Sequence, residues 1–94
     1  MHMRVTRFTD VDPERLEGLV SRIDENDSPP EGVPSSGVKV LYDEDQGTAV
    51  VLGVFDTEED MRAAEEALNN MDPEQTPGTR ASVDRCVVRV EKER

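Results

Sequence analysis

Apolar and polar residues follow a pattern that predicts four strands and two helices in the order β-α-β-β-α-β. The first strand is expected at residues 4–9, a short run rich in Val, Thr and Phe. A helix should follow, because Asp12 is a favourable N-cap and Pro13 suits the first helical position, where no N–H is needed. Its apolar stripe, spaced i, i+3, i+4 and i+7, consists of Leu16, Leu19, Val20 and Ile23.

A long loop and a hairpin are expected in the middle of the chain. Residues 27–37 contain three prolines and two glycines, which disfavour helix and indicate a surface loop. Strands at 38–42 and 48–55 flank the polar segment 43–47, which has a glycine at its end. This combination is typical of one of the longer β-hairpin connections.

The second helix is expected to begin after Thr57, which is a suitable cap, and residues 58–60 place three acidic side chains in its first turn. Its apolar stripe consists of Met61, Ala64, Leu68 and Met71. The helix should end at 72–73, where Pro73 interrupts it. The last strand should run from about Ala81 to Val90, followed by a solvated tail at 91–94.

The third strand carries the main architectural signal. Its sequence from Ala49 to Phe55 is almost continuously apolar, which is typical of a strand covered on both faces. The order of elements predicts a single ferredoxin-like α+β domain over residues 1–94, a four-stranded antiparallel sheet with both helices on one face. The other face then needs a cover, and the sequence predicts a homodimer in which two sheets meet.

Charge and composition narrow the choice of partners. The chain has 22 acidic and 11 basic residues and a net charge of −11, so nucleic acid and anionic membranes are repelled and are not expected as partners. The acidity is consistent with an ordinary acidic protein or with one from a salt-rich cytoplasm. No apolar run approaches the roughly 18 residues that span a bilayer, and a single cysteine excludes an internal disulfide. A cytoplasmic location is therefore expected.

Four segments carry a family resemblance: 4–6 in the first strand, 40–48 through the hairpin, 55–68 from the third strand into the second helix, and 82–85 in the last strand. In these segments the chain resembles the antibiotic-biosynthesis-monooxygenase-like proteins, the dimeric α+β barrel superfamily. The resemblance spans nearly the whole chain except 27–37 and implies the paired-subunit fold. Members include cofactor-free oxygenases, haem-degrading oxygenases and many proteins without assigned function.

The resemblance implies that the haem-degrading members use a Trp and a His, with an Asn in the pocket. The chain departs from these members. It has no Trp, its one histidine is His2, and Asn69 and Asn70 lie near the end of the second helix. No cofactor is therefore predicted. One His and one Cys do not make a zinc site, and the acidic segment 43–45 lacks the ligand spacing of a calcium loop, so no metal site is predicted either.

Three arginines and one tyrosine are the candidate site residues. Arg85 and Arg89 share strand parity, and Arg7 joins them if the first and last strands pair. Together they would hold a carboxylate or enolate-like ligand by paired hydrogen bonds, or form salt bridges at a surface or dimer interface. Tyr42 would place its hydroxyl in a pocket between helices and sheet, or pack in the core with the hydroxyl at the edge.

Two functions follow from these candidates. The leading interpretation is a small homodimeric α+β barrel protein of unassigned activity that binds a small apolar or carboxylate-bearing molecule, with Arg7, Arg85 and Arg89 as ligand-binding residues. The alternative is a cofactor-independent monooxygenase-like enzyme for an aromatic or polyketide-like substrate, with Tyr42 as the catalytic proton-transfer group. A pocket beside Tyr42 with at least two polar side chains would favour the enzyme.

Overall fold

The computed structural model describes residues 1–25, 35–69 and 76–93 and has the predicted order of elements. The strands are β1 (His2–Thr9), β2 (Gly37–Asp43), β3 (Thr48–Phe55) and β4 (Thr79–Val87), and the helices are α1 (Pro13–Glu25) and α2 (Glu58–Asn69). All four strands form one antiparallel sheet in the order β2-β3-β1-β4. The predicted ferredoxin-like α+β fold is therefore confirmed. Apart from its last three residues, the expected loop at 27–37 lies outside the described residues, as do Asn70, Met71 and residues 72–73.

Local capping contacts begin both helices where the sequence predicts them. The backbone N–H of Glu14 donates to Oδ1 of Asp12 at 2.9 Å, and the backbone N–H of Asp60 donates to Oγ1 of Thr57 at 3.1 Å. Each side chain thus satisfies an N–H that has no partner within its own helix. Both predicted caps are confirmed.

The hairpin between β2 and β3 is held by one of its acidic residues. Asp43 accepts hydrogen bonds from the backbone N–H of Gln46 at 3.2 Å and from its side-chain amide at 2.7 Å. Gly47 closes the turn with a φ of 64°, in the left-handed region that glycine adopts without a steric penalty. The carboxylate of Asp43 is therefore engaged in forming the turn.

One face of the sheet packs against the helices and forms a small core. Paired residues in neighbouring strands lie on the same face, so the register places Phe8, Ala49 and Phe55 on this side. Phe55 packs with Met61 and Ala64 of α2, and all of these side chains are buried. Because few side chains form this core, a single contact at its edge contributes a large share of its packing.

The opposite face of the sheet, here called the open face, faces neither of the described helices. Its apolar side chains in β1, β2 and β3 are Met3, Val5, Leu41, Val50, Leu52 and Val54. All are half-buried except Leu41, which is 50% exposed. Within the described chain β3 is thus covered by helices on one face only.

β4 starts and ends earlier than predicted. The sequence suggests a strand over about 81–90, whereas β4 spans Thr79–Val87 and Val90 is 82% exposed. The reason is that its neighbour runs out: Val87 is opposite His2, and beyond that the N–H of Val88 reaches only the carbonyl of Met1, at 3.1 Å. Neither described helix is long and apolar enough to cross a membrane.

Gly78 is a close-packed point in the backbone. A Cβ at this position would lie 2.5 Å from the carbonyl oxygen of Thr9 and 3.1 Å from that of Asp10. The preceding residue is held as well, because the N–H of Asp12 donates to the carbonyl of Pro77 at 2.9 Å. We expect Gly78→Ala to lower the free energy of unfolding by about 1–3 kcal/mol, measured by urea denaturation followed by circular dichroism.

Gly18 offers the matched control, because it lies in the exposed part of α1 and a Cβ there meets nothing within 4 Å. Gly18→Ala should raise the free energy of unfolding by roughly 0.5–1 kcal/mol through helix propensity. If the two substitutions shifted stability equally and in the same direction, the close approach at Gly78 would not be a constraint.

Candidate functional site

Arginine side chains gather on the helix-facing side of the sheet, beneath α2. Arg4 of β1 and Arg85 of β4 are directly opposed in the register and so share this face. Both act electrostatically on Glu65 of α2. We call Arg4, Arg80 and Arg85 the arginine cluster.

Arg80 enters the cluster through an irregularity in the ladder. Arg7 is opposite Ser82, but its neighbour Phe8 is opposite Arg80, so one residue of β4 is extra. This bulge reverses the face on which the following residue lies. Arg80 therefore lies on the helix side, where its Nη1 donates to Oδ1 of Asn69 in α2 at 3.0 Å.

Glu65 is the carboxylate that the cluster shares. Arg85 donates to it through Nε, at 2.7 Å from Oε2, and through Nη2 to Oε1, a two-point contact of guanidinium with carboxylate. The Glu65 side chain is 14% exposed, whereas that of Arg85 is 53% exposed. The hydrogen bonds from Arg85 lower the pKa of Glu65, burial opposes this, and the charges of Arg4 and Arg80 reinforce it. The same contact raises the pKa of Arg85.

Arg4 is a buried cation whose hydrogen bonding is incomplete. It is 6% exposed, and its Nη1 donates to Oγ1 of Thr6 at 3.0 Å. Its Nε and Nη2 have no hydrogen-bond partner among the described residues. Burial lowers the pKa of Arg4; Glu65 opposes this, and Arg80 and Arg85 add to it. An unsatisfied buried donor costs about 1–3 kcal/mol, and more when charged, so this group calls for an explanation.

An open cleft of about 460 Å³ lies beside the cluster, between α2 and the ends of β1 and β4. Its walls combine two apolar residues with five polar or charged ones: Met61, Val87, His2, Glu58, Arg62, Glu65 and Arg85. Its volume falls within the range of about 300–1,000 Å³ that is usual for small-molecule sites. Arg85 and Glu65 thus face the cleft, whereas Arg4 lies outside its lining.

The structure does not bring the three predicted arginines together. Arg85 lines the cleft, but Arg7 lies opposite Ser82 on the open face, and Arg89 follows the end of β4. The expected grouping is wrong. The prediction that the first and last strands pair is correct, but the sequence did not give the register of that pairing. A shift of one residue between strands moves a side chain to the other face.

Tyr42 lies on the helix-facing side of the edge strand β2, opposite Ala49, and is 41% exposed. A second cleft of about 230 Å³ lies nearby, between α1 and β2. Its lining consists of Val20, Ile23, Asp24, Val38 and Val40. Asp24 is the one polar side chain there, and Tyr42 does not contribute. Neither of these two clefts is therefore the polar pocket beside Tyr42 that would favour an oxygenase.

Three residues of the site escaped the sequence reasoning: Arg4, Glu65 and Arg80. One signal was available for Arg4, because Arg4, Thr6 and Phe8 alternate and share a face that Phe8 marks as core. An arginine on a core-facing position of a central strand is unusual and points to a specific partner. Glu65 carried no such signal, because it is one of several acidic residues in its helix. Arg80 carried none either, because its place on the helix-facing side depends on the bulge.

The open face is a second candidate surface, and its charges are ordered. The register forms a row across the sheet in which Lys39 is opposite Leu52, Leu52 opposite Val5, and Val5 opposite Asp84. A cation therefore lies at the β2 edge and an anion at the β4 edge, with two apolar side chains between them. When a second copy of this row is reversed and laid over the first, each cation faces an anion and each apolar side chain faces an apolar one.

No protein-family model, curated protein or solved structure matches the chain. The resemblance to the antibiotic-biosynthesis-monooxygenase-like proteins stays a prediction from the sequence pattern.

The pairing of Glu65 with Arg85 makes a prediction about acid stability. Because the pKa of Glu65 is lowered by folding, its stabilisation is complete above the ordinary pKa of 4.5 and is lost as pH falls below that value. We expect Glu65→Gln to be less stable than the native protein at pH 7, with the difference shrinking as pH falls through and below about 4.5. Thermal denaturation from pH 7 to pH 3 measures this.

Glu66→Gln is the matched control, because Glu66 is the next residue along α2 and is exposed. It should leave the pH dependence of stability unchanged. A gap between native and Glu65→Gln proteins that stayed constant down to pH 3 would contradict the ion pair as its source.

Proposed function

We propose that this protein binds a small carboxylate-bearing molecule in the cleft beneath α2 and works as a homodimer whose subunits meet through their open faces. The observation that carries the binding proposal is the excess of cations over carboxylates in the arginine cluster. Three arginines act on one glutamate, and one of them, Arg85, is half-exposed in a cleft of small-molecule size.

The chemistry of Arg85 favours a carboxylate over other groups. A guanidinium presents parallel N–H donors that match the two oxygens of a carboxylate, and Glu65 already uses this geometry. A ligand carboxylate would occupy the same donors. Met61 and Val87 in the cleft wall offer apolar surface for the hydrocarbon part of the molecule.

Binding rather than oxygenation is the function that these residues support. The cleft lies at the β4 side of the sheet, while Tyr42, the candidate proton-transfer group, lies on β2 at the opposite edge. β3 lies between β2 and the strands that border the cleft, β1 and β4. The described cleft therefore holds cations and acids suited to recognition, without the predicted catalytic tyrosine.

Pairing of subunits through the open face is supported by its apolar centre and its ordered charges. A two-fold axis lying between two facing sheets and parallel to their strands would set β2 of one subunit over β4 of the other. Lys39 would then face Asp84 of the partner subunit, and Leu52 would face Val5 of the partner subunit. This pairing would cover the half-buried side of β3.

Ligand binding is tested with sodium benzoate, which joins a carboxylate to an apolar ring, and with neutral benzamide as its counterpart. Benzoate should bind and benzamide should not, measured by isothermal titration calorimetry. Arg85→Ala should weaken benzoate binding at least about tenfold, because a two-point charged contact is lost.

Arg15→Ala is the charge-matched control, since Arg15 is exposed on α1, away from the cleft. Its affinity for benzoate should equal that of the native protein. Equal binding of benzoate and benzamide, or full affinity in Arg85→Ala, would remove the proposed carboxylate site.

Charge exchange tests the proposed dimer. Lys39→Glu and Asp84→Lys each place like charges opposite each other in both copies of the contact, and each should weaken the dimer at least about tenfold. The double variant carrying both changes restores opposite charges and should recover dimerisation. Sedimentation equilibrium over a micromolar concentration series measures the association constant.

A native protein that stays monomeric throughout this series would overturn the dimer. A double variant no better than either single variant would overturn the parallel-axis arrangement. Gly18→Ala serves here as a control outside the interface and should leave the association constant unchanged.

A further inference from the structure

We infer that Glu65 is a movable carboxylate, which passes from Arg85 to Arg4 when a small monocarboxylate binds to Arg85 in the cleft. The inference rests on the binding function proposed above and describes how that site changes on binding. No covalent bond forms or breaks in this step: one carboxylate replaces another on Arg85, and the displaced one pairs with Arg4.

The register makes the exchange a short movement. Arg4 and Arg85 are directly opposed in adjacent antiparallel strands, where paired Cα atoms lie about 4.5–5.5 Å apart. Glu65 projects from α2 toward the same face and contacts Arg85 through both its oxygens. Its charge already acts on Arg4. A change of side-chain rotamer, with the helix in place, is the scale of motion required.

A candidate acceptor for Arg4 lies within the described protein. Nε and Nη2 of Arg4 are buried, have no acceptor within the described part of the chain, and belong to a residue that does not line the cleft. A ligand in the cleft therefore meets Arg85 before it meets Arg4. Glu65 lines the cleft and acts on both arginines, which makes it the acceptor within reach.

The net charge of the site favours the same exchange of carboxylates. Without ligand, the arginine cluster and Glu65 together carry a net charge of +2, and Arg80 donates to Asn69. A bound monocarboxylate lowers this charge to +1 and lets Arg4 and Arg85 each pair with one carboxylate. The buried guanidinium then gains charge-assisted hydrogen bonds, the stronger class of hydrogen bond in proteins.

The first experiment tests the movement without any ligand. In Arg85→Ala, Glu65 loses its partner and should turn to Arg4, so the Nε–H signal of the Arg4 side chain should move downfield in a proton–nitrogen NMR spectrum. The signal is assigned by its disappearance in Arg4→Lys. In the double variant Arg85→Ala with Glu65→Gln, the signal should return toward its native position.

The second experiment adds sodium benzoate to the native protein. The Arg4 Nε–H signal should move in the same direction as in Arg85→Ala. Its shift should saturate at the same benzoate concentration as the NMR shifts of the residues that line the cleft. Arg4→Met should weaken benzoate binding at least about tenfold although Arg4 lies outside the cleft lining, because Glu65 loses its second partner. Arg4→Lys, which keeps a cation, should recover part of this affinity. Circular dichroism checks that each variant is folded.

The outcomes separate this inference from the proposed function. Benzoate binding that depends on Arg85 but leaves the Arg4 signal unmoved, or full affinity in folded Arg4→Met, overturns the exchange and keeps the binding function. Absence of benzoate binding overturns the binding function and the ligand-driven exchange together, even if Arg85→Ala moves the Arg4 signal. An unmoved Arg4 signal in Arg85→Ala also overturns the exchange.

Discussion

The central strands β1 and β3 carry apolar side chains on both faces, and the described helices cover one face only. This imbalance is the constraint from which the other features follow. Strands alternate their side chains, so every apolar residue placed toward the helices leaves a neighbour pointing the other way. On the helix side the result is a small core around Phe55, and on the other side a surface centred on Val5 and Leu52. The proposed partner sheet would cover this surface, with the charges at its edges opposite those of the partner.

The same small core contains an arginine, which is a costly choice in a chain with few large apolar side chains. Arg4 occupies a central position in β1 where an aliphatic residue would pack without any need for hydrogen bonds. The two nitrogens that find no acceptor among the described residues oppose folding, and the neighbouring Arg80 and Arg85 add like charge. A buried charge with a shifted pKa beside a cleft is a candidate for a functional site, because packing alone does not account for it.

The arginine cluster also stands out against the electrostatics of the whole molecule. A net charge of −11 repels anions at long range, yet the cleft beneath α2 presents guanidinium groups to solvent. Salt limits the long-range repulsion to about 8–10 Å, whereas the contact between a carboxylate and Arg85 acts at hydrogen-bond distance. At the proposed site a small anion would meet Arg85 in a cleft whose two arginines and two glutamates balance, whereas a large polyanion would also approach the acidic surface around it.

Much of this architecture was determined by local sequence, and the site was not. The caps at Asp12 and Thr57 and the hairpin at 43–47 depend on contacts a few residues apart, and the order of elements along the chain follows from local patterns, so the sequence alone predicted them. The register between β1 and β4 joins residues some eighty positions apart, and one extra residue in it decides the faces. That register moved Arg7 to the open face, brought Arg80 beneath α2 and set Arg4 beside Arg85. Alternation along a strand tells which residues share a face, but only the paired sheet tells which face that is, because it depends on where two distant strands align.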